Sequence, residues 1–500
     1  MSKSESNVAL SEQQQVRRDK LESLRTLGYP YPNDVQLTAT CKEAFLLAEN
    51  TSSDSKSSEK SVTVAGRMLA IRHMGKAAFC QIQDRSGKLQ IYVKKDDVGE
   101  SSFEAFKHFD LGDIVEVSGR GFITKTGEPS LHASSIRLLV KCLHPLPEKW
   151  HGLTDIEVRY RQRYLDLIVN PESKAVFVAR AKIIKAIRDF FDARDYIEVE
   201  TPTLSTIASG ASARPFSTHH NALDLELTMR IALELPLKRL VVGGIERVFE
   251  LGRVFRNEGI STQHNPEFTM LEFYQAYATY HDLMTLTEEL LVSLCDQVVG
   301  SRIITFNEKQ IDFSPPFKRL SMAEAVHEIG GISREFNLDT LDGIHAAARS
   351  VGLEVVSSIK DYGKALYELF DQFVEDKIVN PTFITHHPLS ISPLARTSAE
   401  DPRFVDRFEL MVAGMELANA FSELNDPDDQ LQRFESQVEA KAQGDDEAMG
   451  LDRDFVTALE YGLPPTAGEG IGIDRLVMLL TNSSSIRDVI LFPTMRPLHD

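Results

Sequence analysis

Apolar and polar positions alternate in two different ways along this chain, and the first way predicts strands. Between residues 62 and 140, five short runs rich in apolar and β-branched residues are separated by turn sequences at 84–87 and 125–127. Five strands within about 80 residues would suit any small closed barrel. We therefore expect a compact β-barrel in this part of the chain.

A helical period begins at Asn170 and Pro171, which form a typical helix start with Asn at the N-cap and Pro at the first helical position. Apolar residues between 183 and 191 then recur at helical spacing, which predicts one buried face. Beyond residue 195 the period changes to two. A long helix should therefore lead into a short strand.

Two strand-like runs, 245–254 and 268–277, flank a loop broken by Gly259 and Asn265-Pro266, and they predict a hairpin. Side chains on a strand alternate between the two faces of the sheet. If the registers match, one face carries these residues: Arg256, Glu258, Phe268, Met270, Glu272 and Tyr274. Such a face could lie in solvent, but it cannot pack against a core unless a charged molecule fills it.

A second hairpin is predicted near the carboxyl end, with a turn at Ala413-Gly414. This turn brings Glu409 and Glu416 close together across the two strands. Two neighbouring carboxylates either raise each other's pKa or hold a cation, and hard oxygen ligands suit Mg²⁺. Beyond the turn, alternation places three more residues on one face: Asn419, Phe421 and Glu423.

Residues 461–480 combine a glycine-rich turn with a helix. Arg475 falls in the first helical turn, where the helix dipole favours phosphate. A dinucleotide-binding glycine loop is the alternative interpretation. That motif needs a preceding strand and a following acidic residue within a βαβ unit, and the sequence does not provide this context.

The remaining segments carry less chemical information. Residues 11–28 predict a polar helix, and residues 49–61 form a Ser-rich polar stretch typical of a linker or loop. Residues 279–400 contain helical patterns without a chemical motif. His386-His387 could suggest a metal, but the sequence does not indicate a third ligand.

Length and composition limit the class of protein. At 500 residues the chain exceeds the usual size of a single core, so we expect more than one domain. No apolar run reaches about 18 residues, the N-terminus lacks the apolar stretch of a signal peptide, and the four cysteines show no paired spacing. These features predict a cytoplasmic protein without a membrane span, a zinc site or a disulfide framework.

Net charge bears on the possible partners. The value of −19 argues at first against nucleic acid, but residues 61–141 hold twelve Lys and Arg against nine Asp and Glu. A locally basic module on an acidic body can still bind a phosphate backbone, with an affinity that falls as salt rises.

Several of these patterns resemble the motifs of one enzyme family. The sequence FRNEGISTQHNPEFT at 255–269 resembles motif 2 of the class II aminoacyl-tRNA synthetases in its lysyl form. The helix, strand and proline at 170–202 resemble motif 1, and GEGIGIDR at 468–475 resembles motif 3. RHMGKAAF at 72–79, with LQIYV at 89–93, resembles the lysyl family's anticodon-binding OB-fold. Class I synthetases need HIGH and KMSKS motifs, and only a chance MSKS occurs, at the N-terminus.

The resemblance implies an α+β protein, with an N-terminal OB-fold β-barrel and a class II catalytic domain built from an antiparallel sheet flanked by helices. Motif 1 also implies a homodimer. The expected segments are a helical and polar extension with a linker at 1–60, the anticodon-binding OB-fold at 61–145, an interdomain link at 146–168, and the catalytic domain at 169–500 with an insertion at about 285–400.

The resemblance further implies a reaction in which lysine and ATP form lysyl-adenylate and pyrophosphate, after which lysine passes to the 3′ end of tRNA(Lys). Arg256 and Arg475 are the implied catalytic residues: Arg256 grips the α-phosphate and the lysine carboxylate, and Arg475 and His264 hold the β- and γ-phosphates. Glu409 and Glu416 carry Mg²⁺. The residues assigned to ATP are Arg256, Glu258, His264, Asn265, Phe268 and Arg475.

The implied lysine pocket is acidic, and charge supports it, because a buried ammonium needs acidic partners. Glu272, Tyr274 and Glu423 could surround the ε-ammonium, whereas aspartyl and asparaginyl relatives should carry cationic or amide side chains there. The loops at 210–216 and 230–234 would cover the amino acid. The residues assigned to lysine are Gly210, Glu234, Arg256, Glu272, Tyr274, Asn419, Phe421 and Glu423, and those assigned to the anticodon are Arg72, Phe79, Gln90 and Glu128.

Other hypotheses stay open on sequence grounds. Phe79 could be an ordinary ring of the barrel core instead of a surface on which a base stacks. The chain could also be a binding protein without synthetase activity, or a paralogue that lysylates a protein. A degenerate relative should have lost motif residues and a protein-modifying paralogue should lack the OB-fold, whereas this sequence keeps both.

Overall fold

The computed structural model describes residues 11–28, 31–51, 57–147, 153–211, 213–442, 444 and 450–498. The chain divides into two compact units, one ending at residue 154 and the other beginning at residue 155. Each unit has a hydrophobic core of its own. The Ser-rich stretch expected as a linker at 49–61 lies partly outside the described residues.

The first unit is built on a closed five-stranded barrel. Its strands are β1 Ser61–Met74, β2 Ala77–Gln83, β3 Lys88–Lys94, β4 Ile114–Ile123 and β5 Pro129–Val140. They follow the order β1-β2-β3-β5-β4 around the barrel. Inward and outward residues alternate, as in β2, where Ala78, Cys80 and Ile82 are buried. The five apolar runs predicted a small closed barrel, and the family resemblance predicted that this barrel is an OB-fold.

Short helices accompany the barrel. Those described in this unit are α1 Glu12–Thr26, α2 Cys41–Glu49, α3 Lys95–Val98 and α4 Glu100–Phe106. The polar helix predicted from the sequence is α1, and it begins with a capping box in which Ser11 accepts a hydrogen bond from Gln14 N. Helix α2 lies directly on β4, because a Cβ at Gly121 would lie only 2.8 Å from Ala48 Cα.

The second unit is organised around a mixed sheet of eight strands. The strands of this unit are β6 Ile197–Glu198, β7 Leu204–Ser205, β8 Ser217–His220, β9 Leu225–Met229, β10 Arg247–Phe255, β11 Glu267–Ala276, β12 Ile303–Phe306, β13 Lys309–Asp312, β14 Lys318–Ser321, β15 Thr382–Pro388, β16 Phe404–Val412, β17 Met415–Ser422 and β18 Thr466–Gly472. The sheet order is β14-β15-β16-β17-β18-β11-β10-β6. Only the two outermost pairings, β14 with β15 and β10 with β6, are parallel.

Helices cover this sheet. Those described are α5 Ile156–Arg161, α6 Arg163–Val169, α7 Pro171–Asp192, α8 Glu234–Val242, α9 Tyr280–Leu294, α10 Met322–Glu328, α11 Leu341–Ser350, α12 Tyr362–Phe373, α13 Pro427–Ala442, α14 Arg453–Glu460, α15 Ile473–Thr481 and α16 Ile486–Val489. Helix α7 is the long helix predicted after Asn170. Its Phe191 ring lies 5.0 Å from Phe249 on β10 and 4.8 Å from Phe273 on β11. Among the described residues, no helix is both long and apolar enough to cross a bilayer.

Two stretches differ from their expected form. Residues 466–472, expected as a glycine-rich turn, are strand β18, which lies inside the sheet between β17 and β11. Glycine usually weakens a strand, which is why the pattern indicated a turn. The segment at 279–400, in which the sequence indicated helical stretches, also supplies β14 and β15 to the main sheet.

Candidate active site

A cavity of about 490 Å³ lies on one face of the main sheet. Its lining comes mainly from β11, β16, β17 and β18 and from the loop between β10 and β11. The predicted site residues that line it are Gly210, Glu234, Arg256, Glu258, His264, Asn265, Phe268, Glu272, Tyr274, Glu409, Glu416, Asn419, Phe421 and Arg475. The fold therefore brings together residues that are far apart in the sequence.

Strand β18 provides the room for this cavity. Its glycines recur at a period of two, so they point to one side of the sheet. On the neighbouring β11, Tyr274 pairs with Gly468 and Glu272 pairs with Gly470. A Cβ at Gly468 would overlap the Tyr274 ring and the Glu423 carboxylate. Polar side chains of the neighbouring strands thus occupy the space that side chains of β18 would otherwise fill.

Arg256 follows β10 directly, and this position places its guanidinium at the cavity. Its Nε donates to the Ile231 carbonyl at 3.3 Å, and its guanidinium carbon lies 5.2 Å from the centre of the Phe268 ring. Within the described part of the chain, its terminal nitrogens have no hydrogen-bond partner. Glu258 lies two residues further on, in the loop that lines the cavity. The free edge of the guanidinium suits bidentate binding of an anion.

His264 and Arg475 meet at the same cavity. Arg475 Nη2 lies 3.2 Å from His264 Nε2, and Ser261 Oγ lies 2.8 Å from His264 Nδ1. Burial, and then the charges of Arg475 and Arg256, lower the pKa of His264, so its ring is neutral at pH 7. Arg475 Nη1 also donates to the Glu416 carbonyl at 2.5 Å. A neutral imidazole beside two guanidinium groups suits a phosphate chain.

Both polar atoms of the Asn265 side-chain amide form hydrogen bonds to the backbone. Its Nδ2 donates to the Glu267 carbonyl at 2.7 Å, and its Oδ1 accepts from Thr494 N at 3.3 Å. These contacts indicate that Asn265 shapes the loop that carries His264.

Glu409 and Glu416 lie on the two strands of the carboxyl-terminal hairpin. The strands meet at a turn in which Ala413 and Gly414 have φ of 55° and 71°. Glu409 is buried, whereas Glu416 is partly exposed. Loss of water raises the pKa of both carboxyls, and the charge of Glu409 raises that of Glu416 further. A cation would relieve this repulsion, so the pair fits Mg²⁺ that also takes phosphate oxygens.

Three buried carboxylates, Glu234, Glu272 and Glu423, form an acidic cluster at one side of the cavity. Glu272 accepts hydrogen bonds from Leu233 N at 3.1 Å and from the Tyr274 hydroxyl at 3.3 Å. Burial, and then the charge of Glu234, raise the pKa of Glu272 to about 7, and burial raises the pKa of Glu234 and of Glu423 as well. Such a cluster favours a cationic ligand.

Glu423 is placed differently from the prediction. It is not among the residues that line the cavity, and its carboxylate contacts the fully buried Nζ of Lys238. The same Nζ lies 2.5 Å from Glu234 Oε1. A buried carboxylate without a partner is costly, and this ion pair supplies the partner. The sequence reasoning missed Lys238, although its i, i+4 spacing from Glu234 on a helix was an available signal.

Two more cavity residues were missed, Arg407 and Tyr367. Arg407 Nε donates to Asn419 Oδ1 at 3.0 Å, and its Nη2 donates to Glu409 Oε1 at 2.6 Å. Its alternation with Glu409 on β16 could have identified it. Tyr367 comes from α12, in the segment where the sequence showed no chemical motif, so no local signal indicated it.

Gly210 lies close to the start of α8. Its φ is +88°, and a Cβ at this position would lie 3.2 Å from Ala232 Cβ and 3.3 Å from Glu234 Cβ. Both the left-handed backbone and the crowded space favour glycine here. The peptide of Gly210 is therefore held against the acidic cluster.

In the first unit, the residues assigned to the anticodon lie on the barrel. Arg72 pairs with Phe79 across β1 and β2, Gln90 lies on β3, and Glu128 precedes β5. Phe79 is half-buried, and it alternates with the core residue Ala78, so its ring lies outside the barrel core. The interpretation of Phe79 as a core ring is therefore wrong.

Phe79 belongs to a larger aromatic surface that the sequence reasoning did not recognise. Its ring centre lies 4.9 Å from that of Tyr92, and Tyr92 lies 6.0 Å from Phe122 and 5.1 Å from His132. All four rings are half-buried on the outward face of neighbouring strands. Adjacent outward-facing rings of this kind suit stacking with unpaired bases.

Comparison with known proteins agrees with this geometry. A Lysine–tRNA ligase of Bacillus subtilis (strain 168) is 53% identical over 499 residues, which are 99% of this chain and 100% of that protein. A Lysine–tRNA ligase of Moorella thermoacetica is 53% identical over 96% of this chain and 97% of its own length. The heat-inducible Lysine–tRNA ligase of Escherichia coli (strain K12) is 54% identical over 96% of this chain and 95% of its own length.

Each unit also matches a described family. Residues 62–139 match the OB-fold nucleic acid binding domain, and residues 155–496 match the tRNA synthetases class II (D, K and N). The match to the second family covers more than half of the chain and includes every residue that lines the cavity. The chain therefore belongs to the class II tRNA synthetases of the D, K and N group, with an OB-fold nucleic-acid-binding domain.

Proposed function

We propose that this protein is a lysine–tRNA ligase, which activates L-lysine with ATP and transfers it to the 3′ end of tRNA(Lys). The observation that carries this proposal is the buried cluster of Glu234, Glu272 and Glu423, of which Glu234 and Glu272 line the same cavity as Arg256. A ligand that satisfies this site must offer cations to the carboxylates and an anion to the arginine. Lysine has two ammonium groups and one carboxylate, and ATP supplies phosphates.

In the activation step, a carboxylate oxygen of lysine attacks the α-phosphorus of ATP, and pyrophosphate leaves with the electron pair of the broken bond. Arg256 holds the α-phosphate and the lysine carboxylate, which brings the reacting atoms together. Arg475 holds the β- and γ-phosphates together with His264, whose imidazole ring is neutral. Positioning and charge neutralisation carry this step without a protein base.

The adenine end of ATP is bound by the loop between β10 and β11 and by β11 itself. Phe268 stacks on the adenine ring, and Glu258 contacts its polar edge. Asn265 contributes through the loop that its two backbone hydrogen bonds hold in shape.

The acidic cluster selects the amino acid. Glu272, Tyr274 and Glu423 surround the ε-ammonium, and Glu234 with the Gly210 carbonyl binds the α-ammonium. Asn419 and Phe421, on β17, form the wall along the aliphatic chain. An aspartate or asparagine side chain would leave the buried carboxylates unpaired, which is costly.

Glu409 and Glu416 are the residues that would hold Mg²⁺, and Arg407 orients Glu409 through the hydrogen bond at 2.6 Å. Mg²⁺ held by these two carboxylates would supply positive charge for the phosphates of ATP. The two carboxylates are close enough to repel each other, which supports this assignment.

In the transfer step, a hydroxyl of the terminal tRNA ribose attacks the lysyl carbonyl carbon, and AMP leaves. Arg72, Phe79, Gln90 and Glu128 on the barrel read the anticodon, with Phe79 stacking on a base. Gln90 Nε2 donates to Ser130 Oγ at 2.9 Å, which fixes the amide in one orientation.

Dimerisation through the motif 1 helix, the cytoplasmic location and the bounds of the four segments stay predictions. A homodimer would cover apolar side chains that are exposed in this unit, such as Val178 at 48% and Ile197 at 53%. Sedimentation of the full chain tests the first of these predictions.

The experiment that tests the function is ATP–pyrophosphate exchange with each amino acid in turn, followed by charging of transcribed tRNAs. Lysine should support exchange, and tRNA(Lys) should accept it. Exchange with aspartate or asparagine in place of lysine would contradict the assignment of the amino acid. Exchange with lysine but no charging would contradict the assignment of tRNA as the acceptor.

A further inference from the structure

Lys238 on α8 is a fully buried cation beside the proposed lysine pocket. Its Nζ lies 2.5 Å from Glu234 Oε1 and contacts Glu423 Oε2. Two of the three carboxylates in the acidic cluster therefore share an ammonium group that the protein itself supplies.

The surroundings of Lys238 hold it in place and keep it charged. Its Nζ lies 5.4 Å from the centre of the Phe421 ring and 5.8 Å from that of the Phe455 ring. Burial alone would lower the pKa of Lys238, but Glu234 and then Glu423 raise it above its usual value. Lys238 is thus a fixed positive charge of the folded protein.

The charges of the site are balanced for one kind of amino acid. When all are ionised, the three carboxylates of the acidic cluster together with Lys238 and Arg256 carry one net negative charge; Arg407, which also lines the cavity, forms an ion pair with Glu409. Lysine brings one net positive charge, because it has two ammonium groups and one carboxylate. Without Lys238, the site would have one carboxylate too many for a bound lysine.

The two oxygens of Glu423 have different environments. Oε2 forms an ion pair with Lys238 Nζ, and neither oxygen has a hydrogen-bond partner within the described residues. Oε1 lies so close to Gly468 that a Cβ there would overlap it, and the Tyr274 ring is equally close to the same position. Gly468 and Tyr274 both line the cavity, so Oε1, which is itself buried, adjoins two residues of the cavity wall.

We propose that Lys238 is a positioning residue for the amino acid: it occupies one oxygen of Glu423, leaves the other for the ε-ammonium of lysine, and sets the net charge that the pocket accepts. This inference rests on the proposed function, because it assigns a role within the same pocket. Lys238 acts through Glu423 and Glu234 and does not touch the substrate.

The test is Lys238→Met in the full chain, since methionine keeps an unbranched side chain without the charge. The KM for lysine in ATP–pyrophosphate exchange at pH 7 should rise by about tenfold or more, because a buried carboxylate loses its partner. The KM for ATP should stay within about twofold. Lys185→Met is the matched control: Lys185 also pairs with an acid four residues away, Asp189, but its side chain is 74% exposed.

The pH dependence separates positioning from a structural role. The groups that face Glu423 are Lys238 and Glu234 from α8 and Glu272 and Tyr274 from β11. Without the Lys238 ammonium, Glu423 keeps its proton to higher pH. The lysine KM of Lys238→Met should therefore improve as pH rises, and this improvement should occur at more alkaline pH than in the unaltered protein. A structural role would give a loss that does not depend on pH.

Lys238→Gln, which keeps a hydrogen-bond donor for the carboxylates, replaces the methionine variant if the latter does not fold. An unchanged lysine KM, or equal rises of the KM values for lysine and ATP, would overturn the inference. Failure of both variants to fold would also overturn it, because Lys238 would then serve folding. If the unaltered protein does not exchange with lysine, it is the proposed function that fails.

Discussion

At the scale of single residues, the acidic cluster is only partly ionised before a ligand binds. Burial and the charge of Glu234 raise the pKa of Glu272 to about 7, while Leu233 N, Arg256 and the Tyr274 hydroxyl oppose this rise. A cationic ligand favours the ionised carboxylate. Lysine binding should therefore be linked to release of a proton from Glu272 near neutral pH.

This linkage gives a prediction for the pH dependence of lysine binding. When the pH is below the Glu272 pKa of about 7, the free protein must lose the Glu272 proton before it binds lysine. The lysine KM should therefore rise as pH falls from 8 to 6. One proton limits the slope to about tenfold per pH unit. Exchange kinetics across this range measure the slope, and calorimetry in buffers of different ionisation enthalpy counts the protons released.

Glu272→Gln provides the comparison, because the amide has a similar shape and does not titrate. This variant should bind lysine more weakly at pH 8 and should show a flatter pH profile than the unaltered protein. Identical slopes in the two proteins would assign the titration to another group of the site.

At the scale of elements, strand β18 links the packing of the main sheet to the arrangement of the acidic cluster. Glycine at alternate positions weakens a strand by its local propensity, yet β18 pairs on both sides, with β11 and with β17. Side chains of β11 and of Glu423 occupy the space above Gly468. The strand therefore depends on its neighbours for its packing, and the neighbours depend on its glycines for room.

Gly468→Ala tests this dependence. The added Cβ would overlap the Tyr274 ring and the Glu423 carboxylate, so both must move. We expect a loss of about 1–3 kcal/mol in stability and a lysine KM that rises more than the ATP KM. Thermal unfolding and exchange kinetics measure the two effects.

Gly472→Ala is the matched variant on the same strand. Its Cβ would lie 3.7 Å from Arg475 Cδ, an ordinary contact distance, so it should cost clearly less stability than Gly468→Ala. Equal losses in the two variants would mean that β18 needs glycine for its backbone and not for the space above Gly468.

At the scale of the whole molecule, the sequence predicted what is local or carried by a motif. The five barrel strands, the buried face of α7 and the hairpin turn at Ala413-Gly414 follow from short-range patterns, and the comparisons confirm the family and the fold. The pairing of Lys238 with Glu423 joins residues 185 positions apart, and Tyr367 reaches the cavity from a segment without a motif. Contacts of this kind depend on tertiary packing, which a local pattern does not contain.

The division into two units leads to a prediction about which step each unit serves. Phe79, with Tyr92, lies on the barrel, whereas every residue lining the cavity belongs to the second unit. Phe79→Ala should raise the KM for tRNA in the charging reaction by roughly tenfold, since stacking of one base contributes about 1–3 kcal/mol. ATP–pyrophosphate exchange needs no tRNA and should keep its rate.

Leu111→Ala is the control, because Leu111 is an exposed apolar residue of the first unit, at 39% exposure, outside the aromatic surface. It should leave both reactions unchanged, and circular dichroism should show that both variants keep the barrel. Equal losses of exchange and charging in Phe79→Ala would mean that Phe79 supports the fold of the whole chain. If Phe79→Ala loses charging but keeps exchange, the aromatic surface is the place of tRNA recognition. This loss should grow as salt is added, because salt weakens the contacts to the tRNA phosphates.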